Sequence, residues 1–175
     1  MNNEKRIVLT GFMGVGKSTI ARHLASILRT EKVDLDAVIE ASEKQTIAEV
    51  IETGGIAHFR KIETENLKKV LSEYDARILA LGGGAWTIAE NRRLIAAQSC
   101  TSVWLESTFE HCWRNIKSSK RDRPLARNKE QAKKLFEERQ NFYCLTDWHF
   151  IIKPDLTSWE IAKKIAEEIF SVKFE

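Results

Sequence analysis

Short apolar runs alternate with longer amphipathic stretches along most of the chain. Arg6-Ile7-Val8-Leu9-Thr10 reads as a buried strand and is followed at once by glycine. Over residues 17–28 the apolar side chains Ile20, Leu24, Ile27 and Leu28 keep the spacing of one helix face. Residues 32–36 predict a second short strand, and residues 46–71 a helix in pieces, broken at Gly54-Gly55. Residues 77–81 form a third strand, ended by Gly82-Gly83-Gly84, and residues 89–97 a helix. A fourth strand over 101–106, a helix over 108–117, a long helix over 129–144, a fifth strand over 149–153 and a closing helix over 158–170 complete the pattern. Strands separated by helices pair in parallel through crossovers, and parallel sheets are covered on both faces. The expected fold is therefore α/β, with a five-stranded parallel sheet between two helical layers. Residues 118–128 are polar and without period, which makes them the candidate mobile loop.

Composition narrows the class. Hydrophobic residues at 43% and charged residues at 30% of a 175-residue chain fit one globular domain and exclude disordered, collagen-like and coiled-coil chains. No run approaches the ~18 apolar residues of a membrane helix. The polar residues 1–6 lack the apolar core and cleavage site of a signal peptide, so a cytoplasmic location is expected. A net charge of +3 is too mild to indicate nucleic acid as a partner. Cys100, Cys112 and Cys144 are odd in number and have no C-x2-C spacing, so they are expected to be buried or half-buried free thiols. His23, His58, His111 and His149 have no metal-ligand spacing and are expected to be structural or exposed.

The first strand runs into Gly11-Phe12-Met13-Gly14-Val15-Gly16-Lys17-Ser18, which fits the P-loop pattern G-x-x-x-x-G-K-[ST]. Its glycines let backbone N–H groups point inward at phosphate oxygens, and the helix starting at Lys17 presents its positive end to the same anion. Gly14, Val15, Gly16, Lys17, Ser18 and Thr19 are the expected ATP cradle. Lys17 reaches the β- and γ-phosphates and the Ser18 hydroxyl ligates Mg2+.

Other residues point to the acceptor. If the second strand runs to Asp36, then Asp34 and Asp36 project from its carboxyl end on one side. That edge of a parallel sheet is where ligands bind. One carboxylate would hold a Mg2+-bound water and the other would take a proton from a hydroxyl; a solvated helix start, with Asp36 as N-cap, is the structural alternative. On the helix after Gly55, Phe59, Ile62, Asn66, Leu67 and Val70 form the inward stripe, and Glu63 lies within it. Arg60, three residues from Glu63, can pair with it and clamp a carboxylate, or form a purely structural ion pair. Gly82, Gly83 and Gly84 suggest a ligand approaching bare backbone, with a flexible turn as the alternative. Arg139 sits on the apolar face of residues 129–144 and needs an anion or must snorkel away. Residues 114–129 hold seven basic residues, Arg114, Lys117, Lys120, Arg121, Arg123, Arg127 and Lys129, against the single acid Asp122. This fits a lid over ATP phosphates. An RNA-binding patch is the rival, but aromatic stacking residues are not interleaved there.

Taken in order, D-x-D, F-R-x-x-E, G-G-G, R-P-L and the late helical arginine resemble the shikimate kinases, within the nucleoside-monophosphate-kinase-like group of P-loop enzymes. The resemblance spans residues 7 to about 169. It implies a P-loop kinase domain over residues 1–175, with a substrate-binding segment at about 36–72 and a mobile lid at about 117–129. It implies ATP- and Mg2+-dependent phosphorylation of the shikimate 3-hydroxyl, in chorismate biosynthesis. Asp34 would act on Mg2+ through water, and Asp36 would bind the ring hydroxyls and orient the reacting one. Phe59, Arg60, Gly82, Gly83, Gly84 and Arg139 would hold the ring and its carboxylate. Arg123 would cross from the lid to the phosphates, and Arg114 would flank adenine. Shikimate and ATP are the implied partners, with no nucleic acid or membrane and a monomer as the default. The chain departs from the family at Gly54-Gly55, where Gly-Glu is common. It also lacks a proline within Arg139-Gln140-Asn141-Phe142-Tyr143, so Phe142 is expected to reshape that wall of the pocket. The stretch from Arg114 to Arg123 is about two residues longer than usual, and Trp86, Trp113 and Trp148 are bulkier than expected. A gluconate-kinase-like enzyme, a nucleoside monophosphate kinase and a non-catalytic nucleotide-binding regulator remain as alternatives.

Overall fold

The first strand, β1 (Ile7–Thr10), has all four side chains buried, although alternate residues on a strand face opposite ways. Both faces of the sheet must therefore be covered, and the computed structural model, which describes residues 5–153 and 155–174, shows a three-layer α/β/α arrangement. Part of the polar N-terminal stretch, residues 1–4, and Pro154 lie outside the described residues. The sheet order is β2-β3-β1-β4-β5, parallel throughout, with β2 Lys32–Asp34, β3 Ile78–Ala80, β4 Thr101–Glu106 and β5 Trp148–Ile151. Leu9 is in register with Ala80 on one side and Val103 on the other. The carboxyl end of β1 thus sits at the centre of the sheet, where the connections diverge to either side and ligands bind in open parallel sheets.

The helices are α1 (Lys17–Leu28), α2 (Leu35–Glu43), α3 (Ile47–Glu73), α4 (Ala89–Ala97), α5 (Phe109–Ser118), α6 (Lys129–Tyr143) and α7 (Ser158–Phe170). Helix α1 packs on α7, and α2 on α3. A capping box starts α3: Thr46 Oγ1 accepts from Glu49 N, and the Glu49 carboxylate accepts from Thr46 N at 2.7 Å. Gly55, at φ 79°, breaks α3 where Gly54-Gly55 predicted an interruption. The predicted inward stripe, Phe59, Ile62, Asn66, Leu67 and Val70, is buried.

Three expectations are corrected. The second strand stops at Asp34, and residues 35–43 form the unpredicted helix α2. Asp34 is its N-cap, with Oδ1 accepting from Asp36 N at 3.1 Å, while Leu35 and Ile39 bury the same face one turn apart. The two aspartates therefore meet through a helix cap and first turn, not through strand alternation. Strand β5 begins at Trp148 and leaves Trp148, His149 and Ile151 exposed, because an edge strand has only one neighbour to cover it. Cys100 and Cys112 are buried as expected, but Cys144, at the end of α6, is exposed.

Candidate functional site

The turn after β1 closes tightly because its glycines adopt backbone angles that side chains resist. Gly14, at φ 82°, lies so near α5 that a Cβ there would come within 2.5 Å of the Cys112 carbonyl oxygen. Asn115 Nδ2, also on α5, donates to Gly14 O at 2.7 Å and fixes the loop's outer edge. Val15 is buried, and Gly16 precedes the first turn of α1, which begins with Lys17, Ser18 and Thr19. Lys17 Nζ donates to the carbonyls of Gly11 (2.7 Å) and Phe12 (3.1 Å), so the ammonium is held inside the loop. Burial brings its pKa down to about 8, opposed chiefly by the charge of Asp36.

Ser18 Oγ donates to Asp34 Oδ2 at 2.5 Å. The pair offers hard oxygen ligands beside the phosphate cradle. Among the described residues no group of three or more His, Cys, Asp or Glu gathers to cage a metal. Such a sparse oxygen set fits Mg2+, which keeps several waters and shares itself with substrate phosphates.

Beside this cradle opens a cavity of about 590 Å3. One wall is α2 and α3, with Asp36, Glu40, Phe59, Arg60 and Glu63; another is Gly82-Gly83-Gly84; Arg139 closes the inner end, and residues 120–125 form the roof. Burial raises the pKa of Asp36, with Arg121 the main opposing charge. Arg60 Nη1 donates to Glu63 Oε2, while Glu63 itself is fully buried with its other oxygen, Oε1, unpartnered. Burial pushes the Glu63 pKa up, and Arg60 pulls it down.

Arg139 is only 5% exposed, and its Nη1 has no hydrogen-bond partner. Its guanidinium stands 5.8 Å from the Phe12 ring centroid, and a Cβ on Gly83 would lie 3.2 Å from Nη1. Tyr143, one turn along α6, donates its hydroxyl to Gly83 O; burial pushes its pKa up to about 12. A buried cation with an unsatisfied nitrogen is costly unless an anion reaches it.

The structure thus brings Asp36, Phe59, Arg60, Gly82, Gly83, Gly84, Arg123 and Arg139 to one cavity, with Lys17, Ser18 and Asp34 beside it. Arg114 stays apart, exposed on α5 and lining neither this cavity nor the basic cleft of about 370 Å3 under Trp113 and Arg127. Phe142 does not reshape the pocket wall. It is 37% exposed, its carbonyl accepts from Trp86 Nε1 at 2.9 Å, and Arg92 covers its ring. The lid is not wholly free, since Ala126 packs with Phe109 and Ala132. The sequence reading gave no role to Glu40, Arg121 or Tyr143; the Asp36–Glu40 spacing on a helix was the available signal for the first.

Comparison with known proteins identifies the family. The shikimate kinase family profile matches residues 13–170. A shikimate kinase of Flavobacterium johnsoniae is 35% identical over 170 residues, covering 93% of this chain and 98% of that one. The structure of shikimate kinase from Acinetobacter baumannii in complex with shikimate superposes with a TM-score of 0.87 at 31% identity, covering 98% of this chain and 96% of that one. Shikimate kinase from Bacteroides thetaiotaomicron gives a TM-score of 0.82 at 26% identity, covering 96% of this chain and 99% of that one. The chain belongs to the shikimate kinase family, P-loop enzymes that transfer a phosphoryl group from ATP to a hydroxyl of shikimate.

Proposed function

We propose that this chain phosphorylates the shikimate 3-hydroxyl with its own residues divided between two ends of one cavity. The observation that carries the assignment is Arg139, a buried cation with an unpartnered nitrogen in the same cavity as Asp36. Arg139 and Arg60 take the acceptor's carboxylate, with Arg60 held by Glu63. Phe59 packs on the ring, and the Gly82-Gly83-Gly84 backbone lets it approach. Asp36 accepts hydrogen bonds from the ring hydroxyls, orients the reacting oxygen and receives its proton. Arg139 and Asp36 together fix which end of the acceptor faces the P-loop.

Phosphoryl transfer needs alignment and charge neutralisation rather than covalent chemistry from the protein. Lys17 supplies a fixed cation at the phosphates, and Arg123 supplies a second from the lid. The charge of Arg123 lowers the Lys17 pKa, so the two cations lie near enough to oppose one another, and an anion between them would relieve both. Ser18 and, through water, Asp34 would hold Mg2+ with the phosphates. That ion would neutralise phosphate charge and draw electron density from the transferring group. Gly14, Val15, Gly16 and Thr19 complete the cradle, and Arg114, which lines neither cavity here, would flank the adenine. Residues 36–72 act as the acceptor-binding segment and 117–129 as the lid of one kinase domain, working as a cytoplasmic monomer without nucleic acid or membrane. Among the described residues no helix is long and apolar enough to cross a membrane.

Comparing shikimate with its methyl ester in wild-type and Arg139→Met protein tests the assignment. Esterification is expected to weaken binding strongly in the wild type and markedly less in the variant, where the pair with Arg139 is already gone and only Arg60 still meets the carboxylate. Equal losses in both proteins would refute it.

A further inference from the structure

The lid carries a second arginine, and its partners lie inside the acceptor cavity. Arg121 Nη2 stands 3.3 Å from Asp36 Oδ2 and 3.4 Å from Glu40 Oε1. Asp36 and Glu40 are four residues apart on α2, so their carboxylates share one helix face, and both line the cavity. The phosphate end does not account for this contact. Arg123, two residues further on, carries the charge that Lys17 feels, whereas Arg121 is drawn across the roof toward the opposite wall. Its guanidinium takes a carboxylate oxygen that an acceptor hydroxyl would otherwise use.

Its two partners are not equivalent. Glu40 Oε1 also accepts from Ile47 N at 3.1 Å, at the first turn of α3, and is thereby fixed in place. Asp36 Oδ1 lies against the bare backbone of Gly82, at the heart of the cavity. One partner is an anchored post, and the other is a group that the reaction needs.

We propose that Arg121 is a positioning residue that competes with the acceptor for Asp36. In the acceptor-free enzyme it bridges Asp36 and Glu40. When the acceptor's hydroxyls reach Asp36, Arg121 passes wholly to Glu40 and holds the lid over the bound acceptor. This rests on the reading of Asp36 as the hydroxyl-binding carboxylate.

The competition makes predictions opposite in sign to a simple field effect. Shikimate is an anion, so deleting a nearby cation should weaken its binding and deleting a nearby anion should strengthen it. Competition reverses both. Calorimetric titration of shikimate without nucleotide is expected to show Arg121→Gln binding about three- to five-fold more tightly, the range of one half-exposed ion pair. Glu40→Gln, which keeps an oxygen for Ile47 N, is expected to bind more weakly, since Arg121 is left to Asp36 alone. In the Arg121→Gln background, Glu40→Gln should then have no further effect. Arg121→Lys should restore affinity to near the wild-type value. Weaker or unchanged binding by Arg121→Gln overturns the proposal. Asp36→Asn separates the two levels. Loss of binding there, with Arg121→Gln unchanged, defeats the competition alone; wild-type affinity there defeats the hydroxyl-binding role and the competition with it.

Discussion

Replacing Gly82 by alanine tests how tightly the acceptor end of the cavity is dimensioned. A Cβ at this position would lie 2.6 Å from Asp36 Oδ1 and 3.0 Å from Glu63 Oε1. Ordinary contact begins near 3.4 Å, so the Asp36 oxygen must retreat by about 0.8 Å. Glu63 cannot take up the displacement, because it is fully buried and tied to Arg60. Misplacing a reacting group by about 1 Å costs about 10^2-fold in rate, or about 2.7 kcal/mol of barrier. We expect Gly82→Ala to lower kcat by that factor in a coupled ADP-release assay. The fold should tolerate the change. Gly82 is not among the residues with positive φ, and the lost backbone freedom of the unfolded chain offsets part of the local crowding, by ~0.4–1 kcal/mol. Tm should move by only a few degrees. A kcat within about threefold of wild type would refute the placement of Asp36, and a collapse of Tm with kcat would show that the loss is structural.

Three further outcomes are expected. Arg139→Met should lower shikimate affinity on the order of 10^2-fold, as charged hydrogen bonds contribute ~1.5–3 kcal/mol each, while thermal stability holds or rises because a buried cation with an unpartnered nitrogen is removed; parallel losses of affinity and Tm would count against a ligand role. Arg123→Ala should cut kcat by about 10^2-fold or more with little change in acceptor affinity, as for other donors to developing charge, and an unchanged kcat would remove Arg123 from the mechanism. The free-enzyme pKa of Lys17, about 8, sets the pH dependence of nucleotide binding. Phosphate favours the charged ammonium and raises that pKa in the complex, so binding takes up a proton only above about pH 8. Calorimetric ADP affinity should be flat below that pH and fall by up to about tenfold per unit above it; Lys17→Met should abolish the dependence, and a pH-independent wild type would contradict the assignment.

The sheet and its helices were legible where local pattern and tertiary environment agreed. Residues 7–10 were all apolar or strand-forming because β1 is central and buried on both faces. The arginine at position 139 stood out because a cation on an apolar helix face has no structural excuse, and it is buried without a full set of partners. Helix α2 was missed because it is short and follows β2 with no turn residues between; Asp34 both ends the strand and caps the helix. That error hid the Asp36–Glu40 face and with it the role of Arg121. Arg121 was visible only as one of several lid cations, since a contact spanning 85 residues leaves no periodic trace. Phe142 failed in the other direction. Its position on α6 leaves it partly exposed and outside the cavity lining, and its ring meets Arg92 on another element, a pairing that local pattern does not show.

The most direct test is coupled ADP release with Mg-ATP, comparing shikimate, gluconate and nucleoside monophosphates as acceptors. The account predicts rapid release with shikimate alone, lost in Asp36→Asn. Release with gluconate or a nucleotide but not with shikimate, or ATP binding without turnover on any acceptor, would contradict it.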